Sequence, residues 1–522
     1  MKSPSLKKHR LFYILLCFIA ALVLLNVRLF WIQVAASRNW SSHGVDLVQN
    51  SVIQREQGIV LDSGRGDFYD RNGVPLTGSE RNVLTVFPFP AEEPEDHFPE
   101  NNPAAAIASI LGVSEPEWER FTASLKAPEV WKQAGKPVDL SDAQIAQIRA
   151  LQTPQLAVTK LKQRYADEQP ASHLIGYIGQ NPERITRQFT DQFHRGELQL
   201  TSKIGGAGLE KTFEPWLQGI GATTLSLFMD AAKHPLPGLD ARTVLPSNAY
   251  YPLKVITTLD ASVQSKVEQA MRKLQVKEGA VVVLDAANAD VVAMASQPGF
   301  NPEHIDLAGG TWTNKALKAT APGSIFKTVT AAAALDEHVA RPDETFQCDG
   351  ELGKYGLTCW KKDGHGMLTF EEGYAQSCNI VFAKLSERLS GAQLESYAER
   401  LGLGVQVGWA DAFMEQPDFH QWDGEETGQV FAAATPKEDG GVKAQSSIGQ
   451  RDVQVTPLQA ANLVVTLLNG GKVEAPRVVK EVRYRNGRLL EALKPEEVRG
   501  LPERITDLDR EAACDLDAGC GA

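Results

Sequence analysis

Cysteine is scarce in this chain, with six among 522 residues. Because no C-x-x-C pair occurs, neither a zinc ribbon nor a thioredoxin-type redox motif is indicated. A basic stripe is also missing beyond the first ten residues, and the formal net charge is -12. Nucleic acid is therefore not an expected partner, since phosphate backbones are bound by clustered Lys and Arg. The sequence shows no internal repeat and no long low-complexity tract.

Long apolar runs are limited to one, at the N-terminus. The string "LFYILLCFIAALVLLNV" (residues 11–27) carries no charge and follows a basic stretch. As a helix it would span roughly 26 Å, close to the thickness of a hydrocarbon core. We predict a cytoplasmic tail over 1–10, a transmembrane anchor over 11–34, and an extracytoplasmic location for the rest. A cleaved signal peptide is the alternative, because "VAAS" (residues 34–37) resembles a cleavage site.

Export would permit disulfides, and one pair of cysteines is close enough in sequence to form one. Cys348 and Cys359 flank the turn-rich string "DGELGKYGLT". A bridge between them and two free thiols are both compatible with the sequence.

The length predicts at least two domains. Residues 50–225 have the pattern of a mixed α+β domain, and the proline-containing segment 226–254 is predicted to be a linker. A second domain is expected over 255–500, followed by an atypical tail over 501–522. Within the second domain, "GAVVVLDAANADVVAMAS" (residues 279–296) predicts two strands around a turn before a helix. That order indicates α+β rather than alternating βαβ units.

A serine and a lysine stand three residues apart in "TAPGSIFKTVTAAAAL" (residues 320–335). Pro322 and Gly323 cannot extend a helix backwards, so Ser324 is predicted at or just inside a helix N-terminus. The spacing puts Ser324 and Lys327 on one face, and the apolar run that follows predicts a buried helix. A desolvated Lys327 would lose its proton near neutral pH and serve as general base for a nucleophilic Ser324. An ordinary serine cap followed by a surface lysine is the alternative.

A second polar motif, Ser377-Cys378-Asn379, precedes another apolar helix. Ser377 is predicted to shuttle a proton to or from Lys327, with a plain N-cap as the alternative. Asn379 is predicted to orient Lys327 and to donate to a substrate carbonyl. Together the two motifs predict acyl transfer by serine attack through an acyl-enzyme.

These motifs belong to a longer set of strings that resembles the class B penicillin-binding proteins, membrane-anchored D,D-transpeptidases of peptidoglycan synthesis. Ser324 to Lys327 matches the family's S-x-x-K, and Ser377 to Asn379 matches its S-x-N. The strings "GRGDFYDRNGVPLTG", "ASHLIGYIG" and "GGAGLEKTFEPWLQG" resemble its N-terminal dimerisation or pedestal module. The strings "VVVLDAANADVVAMASQPGFNP" and "SSIGQRDVQVTPLQAANLVVTLLNGG" resemble its transpeptidase domain. The resemblance runs in order from about residue 28 to about residue 480.

The resemblance implies an α+β fold class with a single N-terminal transmembrane helix and a mixed α+β pedestal domain. A serine D,D-transpeptidase domain of β-lactamase-like architecture would follow, with an antiparallel sheet flanked by helices and a truncated C-terminal end. The implied substrate is a peptidoglycan stem peptide ending in D-Ala-D-Ala, attacked by Ser324. β-Lactams would acylate Ser324 by mimicry, and other membrane proteins of cell-wall synthesis would be partners. No metal or organic cofactor is implied.

The family's third motif, K-[ST]-G, does not occur in the sequence. In the family its strand supplies a backbone N–H to the oxyanion hole, and loss of one such donor costs ~10²–10³ in rate. Three interpretations follow: a truncated or frameshifted and impaired product, a tail that supplies the missing piece, or a non-catalytic scaffold of a cell-wall complex. A serine β-lactamase or a β-lactam sensor would share S-x-x-K. The long N-terminal region disfavours the first, and the single apolar run disfavours the second.

Overall fold

The computed structural model describes residues 4–31, 56–90, 103–230, 232–306, 308–503 and 505 of the chain. An N-terminal helix spans Pro4–Phe30, and its segment Leu11–Phe30 is apolar and fully exposed. By length and composition this segment could cross a membrane. The helix also includes residues 4–10 of the predicted tail, while residues 32–34 of the predicted anchor lie outside the described residues.

Two compact units divide the chain, and each is assembled from segments that are discontinuous in sequence. Among the described residues, the first contains those within 1–63, 80–162 and 221–246, and the second contains those within 64–79, 163–220 and 247–522. The units therefore interleave, whereas the domains expected over 50–225 and 255–500 follow chain order. The domain boundaries stay a prediction, as does the linker 226–254, of which residues 242–244 form an edge strand.

The first unit is a mixed α+β body with two three-stranded sheets and one short antiparallel pair, Lys132–Gln133 with Lys136–Pro137. The central strand Thr223–Phe228 of one antiparallel sheet pairs with Glu56–Asp62 and with Arg242–Val244. The other sheet has the strand order Glu129–Val130, Ser79–Val86 and Leu156–Gln163. The helices of this unit are Pro103–Leu111, Glu115–Ser124 and Asp142–Ala150. Trp118 and Trp131 are buried in the apolar cluster beside these helices, with ring centroids 5.5 Å apart.

The second unit contains a four-stranded sheet and a long antiparallel hairpin. The sheet runs in the order Asp67–Tyr69, Lys254–Thr257, Val479–Arg483 and Leu489–Ala492, and only its first pair is parallel. The hairpin pairs Gly279–Leu284 with Val291–Gln297, which confirms the two strands predicted there. Helices of this unit include Ala261–Lys273, Lys327–Asp336, Asn379–Ser386, Gly391–Arg400, Gly440–Ser446 and Pro457–Leu468. Helices and antiparallel pairs occupy separate stretches, so the predicted α+β class is confirmed.

Shorter elements complete the second unit. Its short helices are Ser172–Ile175, Pro182–Gln188, Thr190–His194, Gly208–Thr212, Glu214–Leu217 and Phe370–Ala375. Its short strand pairs are Tyr177–Gln180 with Lys203–Ala207, Thr345–Cys348 with Gly366–Thr369, Glu351–Leu352 with Leu357–Thr358, and Ala410–Phe413 with Gln416–His420.

A buried ion network joins the early and middle segments of the second unit. Arg65 places one terminal nitrogen 2.7 Å from a carboxylate oxygen of Glu210 and 2.7 Å from one of Glu214. Arg164 contacts the other oxygen of Glu210 at 2.6 Å. Since removing one partner of a buried ion pair leaves an uncompensated charge, this network holds residues 64–79 and 163–220 together.

The helix Lys327–Asp336 lies at the centre of the larger apolar core, and every residue from Lys327 to Leu335 is buried. Four consecutive alanines, residues 331–334, present little side-chain volume on any side of it. Neighbouring helices can therefore approach closely. The predicted burial of this helix is confirmed.

Contacts with a distant loop fix the point where this helix begins. Gly323 donates its backbone N–H to the carbonyl of Gly449 at 3.0 Å, and Thr320 exchanges two backbone hydrogen bonds with Val455. A Cβ atom on Gly449 would lie 1.9 Å from the carbonyl oxygen of Gly323, and its φ is +72°. Only glycine fits this close approach, so residues 449–455 set the position of the turn that carries Ser324.

Candidate active site

Ser324 lies on a 3₁₀ turn, Gly323–Phe326, that leads directly into the helix Lys327–Asp336. In a 3₁₀ turn, side chains three residues apart eclipse one another more closely than in an α-helix. Ser324 and Lys327 therefore project to the same side, as their spacing predicts. The sequence did not indicate that the first turn is 3₁₀.

The structure brings the four predicted site residues together in one hydrogen-bonded chain. The Lys327 ammonium donates to the backbone carbonyl of Ser377 at 2.7 Å, to its Oγ at 2.9 Å and to Asn379 Oδ1 at 2.8 Å. Ser377 Oγ in turn donates to Ser324 Oγ at 3.0 Å. Among the described contacts, Ser324 and Lys327 share no direct hydrogen bond, so Ser377 is the link between them.

The environment of Lys327 shifts the protonation equilibrium of its side chain toward the neutral amine. Its side chain is buried, and this burial lowers the pKa of Lys327 to about 8, although the sulfurs of Cys378 and Cys359 act in the opposite direction. The Nζ atom lies 5.5 Å from the centroid of the Phe382 ring, which closes one side of the site. With a pKa of about 8, roughly a tenth of the amine is neutral at pH 7 and able to accept a proton, as a general base must.

Ser377 adopts an unusual backbone conformation, with φ at +52°. Such a left-handed geometry costs of order 1–3 kcal/mol for a non-glycine residue and persists only where its surroundings enforce it. The helix Asn379–Ser386 begins two residues later, and all but two of its residues are buried. The helix anchors Asn379, while the strained residue directs the hydroxyl of Ser377 at Ser324.

An open cavity of about 340 Å³ adjoins the serine pair. Ser324, Lys327 and Ser377 form its polar wall. Its apolar wall comes from Ile325, Tyr374, Leu463, Val464 and Leu467. The cavity gives an acyl group access to Ser324 Oγ. The assigned roles of nucleophile, base, shuttle and orienting amide stay predictions.

Three cysteines and a histidine form a second cluster directly behind the S-x-N motif. One ligand atom from each of Cys348, Cys359, His365 and Cys378 lies within 4.8 Å of every other, and the three cysteines are buried. His365 Nδ1 lies 3.5 Å from Cys348 Sγ and 3.6 Å from Cys359 Sγ. Both thiols are free in the structure, and no Cys348–Cys359 bridge forms. This set of side chains could hold a metal ion.

Sequence reasoning missed this cluster because it tested only the C-x-x-C spacing and one cysteine pair. The four residues come from separate elements. Cys348 ends the strand Thr345–Cys348, and its register partner Gly366 directly follows His365. The available signal was that one motif cysteine, Cys378, accompanied two other cysteines and a histidine within about thirty residues.

Two family models match the chain over most of its length. The model described as "Penicillin-binding Protein dimerisation domain" matches residues 60–227. The model described as "Penicillin binding protein transpeptidase domain" matches residues 279–508. The second range contains all four residues of the hydrogen-bonded chain.

Relatives and solved structures agree with these matches. The chain is 26% identical over 490 residues to "Stage V sporulation protein D" of Bacillus subtilis, covering 91% of this chain and 67% of that protein. It is 24% identical over 469 residues to "Peptidoglycan D,D-transpeptidase MrdA" of Acinetobacter baumannii, covering 85% of this chain and 64% of that protein. The chain thus spans about two thirds of the length of these relatives.

The fold is shared with a chain of a solved peptidoglycan synthase complex, at a TM-score of 0.60 and 22% identity over 97% of this chain and 84% of that one. It is shared also with a penicillin-binding protein (PBP2) from Helicobacter pylori, at a TM-score of 0.56 and 19% identity over 89% of this chain and 84% of that one.

Proposed function

Because this chain belongs to the class B penicillin-binding proteins, we propose that it crosslinks peptidoglycan as a D,D-transpeptidase with an acyl-enzyme on Ser324. The single observation that supports this activity is the chain of hydrogen bonds from Ser324 through Ser377 to Lys327. Such a series of hydrogen bonds converts the Ser324 hydroxyl into a nucleophile only if its last member, Lys327, accepts a proton.

Acylation begins when neutral Lys327 accepts a proton from Ser377 while Ser377 accepts the proton of Ser324. The donor directions in the structure are those of the protonated lysine, and the same distances serve the reverse direction. Ser324 Oγ then forms a bond to the penultimate D-Ala carbonyl carbon of a stem peptide. The C–N bond to the last D-Ala breaks, and its nitrogen takes the proton held by Lys327 and Ser377.

Asn379 positions both Lys327 and the stem peptide in this step. Its Oδ1 accepts from Lys327, and its amide nitrogen donates to the carbonyl of Thr358 at 3.1 Å. A side-chain amide has two N–H donors, so the second can bind a carbonyl of the stem peptide.

Transfer completes the reaction when the amine of a neighbouring stem peptide attacks the ester carbonyl. Its proton returns along the same chain to Ser324, and the new amide bond is the crosslink. A β-lactam would react at Ser324 by the first half alone, because the opened ring keeps its leaving nitrogen attached to the acyl group.

We propose that the helix Pro4–Phe30 anchors the protein in the cell membrane, with the N-terminus cytoplasmic and the described residues from 56 onward outside. Its exposed apolar segment and the basic residues before it support this topology. The membrane proteins of cell-wall synthesis are the proposed partners. Protease added to spheroplasts should digest the residues from 56 onward while leaving a membrane-bound N-terminal fragment, and full protection would contradict this topology.

A non-catalytic cell-wall scaffold is the second candidate, favoured by the absence of K-[ST]-G from the printed sequence. In the transpeptidase interpretation, one missing oxyanion donor would slow acylation by ~10²–10³ without abolishing it. The two candidates therefore differ in whether Ser324 reacts at all.

Labelling with a fluorescent penicillin separates the two candidates. The full chain, purified in detergent, should be labelled covalently over minutes to hours, and Ser324→Ala should abolish the label. Ser262→Ala, at an exposed serine of the helix Ala261–Lys273, is the matched control and should be labelled like the wild type. A cooperatively unfolding wild type that takes no label would favour the scaffold.

A further inference from the structure

We propose that the exposed indole of Trp360 stacks on a sugar ring of the glycan strand of peptidoglycan and thereby positions the stem peptide attached to that sugar beside Ser324. The inference deepens the proposed function and rests on it for the choice of substrate. Sequence reasoning assigned Trp360 no role.

Trp360 is the one exposed tryptophan among those that the structure describes from residue 56 onward. The residue is 64% exposed. Because an indole is a large apolar side chain, folding normally removes most of its surface from water. The other tryptophans in this part of the chain are buried or half-buried, namely Trp118, Trp131, Trp216, Trp312, Trp409 and Trp422. The exposed surface of Trp360 is therefore available to a ligand.

Two contacts hold the indole of Trp360 in a fixed orientation. Its Nε1–H donates to the backbone carbonyl of Gln376 at 3.1 Å, and its ring lies edge-to-face with the ring of His365, with centroids 5.2 Å apart. The N–H bond points along the ring plane, and His365 covers at most one face of the indole. A ligand can therefore stack on a side chain that has already lost its rotamer freedom, which reduces the entropic cost of binding.

Trp360 lies close to the nucleophile. Gln376, which accepts the hydrogen bond from the indole, directly precedes Ser377, and Ser377 Oγ lies 3.0 Å from Ser324 Oγ. Standard bond lengths then limit the distance from Trp360 Nε1 to Ser324 Oγ to about 12 Å. In a stem of about five residues, the four that separate the sugar from the penultimate carbonyl extend to roughly 14 Å. A sugar on Trp360 can therefore place the carbonyl of its own stem peptide at Ser324.

The surroundings of the indole are polar. Lys361, Lys362 and Gln376 are exposed, and neither lysine forms an ion pair within the part of the chain that the structure describes. A pyranose ring has C–H groups on its faces and hydroxyl groups around its rim, so it matches an apolar ring that is bordered by polar side chains. A protein partner would instead need a contiguous apolar patch of several hundred Å².

The two lysines also suit the charge of the ligand. The chain carries a formal net charge of -12, yet Lys361 and Lys362 stand side by side with only Asp363 as an acidic neighbour in sequence. A stem peptide ends in a carboxylate, and positive charge at the edge of the site attracts such a ligand as it approaches.

In this arrangement Trp360 is a positioning residue, since it does not touch the reacting atoms. Its contact with the sugar is remote from the bond that breaks, and the binding energy of that contact holds the scissile carbonyl near Ser324. Stem peptides on a glycan should therefore bind better than free stem peptides.

The first test uses the wild-type full chain in detergent and hydroxyl-radical footprinting read by mass spectrometry. The probes are a disaccharide pentapeptide, released from peptidoglycan by a muramidase, and the same pentapeptide without sugars. The disaccharide pentapeptide should slow the oxidation of Trp360 about threefold or more relative to Tyr250, an exposed aromatic residue of the same unit, and the free pentapeptide should not. No slowing by the disaccharide pentapeptide, or equal slowing by both probes, would overturn the inference.

The second test measures the affinity for the disaccharide pentapeptide by calorimetry in a Ser324→Ala background, where the ligand is not consumed. Trp360→Ala should weaken binding about tenfold or more, and Trp360→Phe should recover most of that loss because a phenyl ring keeps a stacking face. Leu274→Ala is the matched control and should bind like the parent, because it truncates an exposed apolar side chain at the end of the helix Ala261–Lys273.

Equal affinities of Trp360→Ala and the parent would refute the stacking role. Equal losses in Trp360→Ala and Trp360→Phe would refute it as well, because the hydrogen bond to Gln376 would then account for the effect. If Trp360→Ala does not unfold cooperatively, the footprinting of the wild type decides.

Neither test requires Ser324 to react, so the two proposals can fail separately. Sugar-dependent protection of Trp360 in a chain that takes no penicillin label would count against the proposed function alone. Penicillin labelling without such protection would count against the role of Trp360 alone.

Discussion

The pH dependence of acylation tests whether Lys327 is the base. If the rate follows the neutral fraction of a group whose pKa is about 8, that fraction is about 9% at pH 7 and about 91% at pH 9. We therefore expect penicillin labelling to rise about 10-fold between these values and to level off above pH 9. A lysine with the usual value of 10.5 would instead give a rise of about 100-fold with no plateau in this range.

The assay is the initial rate of labelling of the full chain from pH 6 to pH 10 at constant ionic strength. Ser324→Ala measures the label acquired without the nucleophile, and it is subtracted at each pH. Lys327→Arg keeps the positive charge but stays protonated throughout, so it should lose ~10²–10⁴ in rate at every pH. An unbroken tenfold rise per pH unit up to pH 10 would refute a lowered lysine pKa. A profile unchanged in Lys327→Arg would refute its role as the base.

Two further predictions concern stability. Gly449→Ala should lower the unfolding temperature sharply or prevent folding, because its Cβ would lie 1.9 Å from a backbone carbonyl oxygen. Gly353→Ala is the control, and it should change the unfolding temperature little because no atom lies within 4 Å of its new Cβ. Equal melting temperatures would contradict the claimed close approach. Glu210→Gln should cost about 3 to 5 kcal/mol in denaturant unfolding, because it removes the buried negative charge that Arg65 and Arg164 share. Although burial opposes ionisation, Arg164 and Arg65 hold the pKa of Glu210 below its usual value. The stabilisation by Glu210 should therefore be present above its pKa in the unfolded state and be lost as the pH falls through its pKa in the folded state. If the unfolding free energy of the wild type fell with acid in the same way as that of Glu210→Gln, this account would be contradicted.

Local signals in the sequence were sufficient for the nucleophile helix. The Pro-Gly pair before Ser324 marked the helix start, and the alanine-rich run after Lys327 marked its burial. The turn type was not predictable, because the choice between 3₁₀ and α depends on contacts with Gly449 and its neighbours, far along the chain. The S-x-N residues were recognised as a motif, but only the fold shows that they meet Lys327.

The cysteine and histidine cluster could not be derived from spacing alone. Its members lie at or directly beside the ends of short strands and the start of a helix, and their approach depends on the register between Thr345–Cys348 and Gly366–Thr369. The interleaving of the compact units was invisible for the same reason. Hydrophobic periodicity reports which face of a segment is buried, but it does not name the segment that covers it.

The parallel pairing of Asp67–Tyr69 with Lys254–Thr257 has a consequence for how such proteins can be recombined. A crossover placed in the proline-containing segment before residue 255 would give a chimera in which the edge strand Asp67–Tyr69 comes from one parent and the rest of its sheet from the other. Arg65 and Glu210 would both come from the parent that supplies the N-terminal part, whereas Ser324 would come from the parent that supplies the C-terminal part. Chimeras of distant relatives joined there should therefore fold poorly, and swaps that carry residues 64 onward as one block should survive.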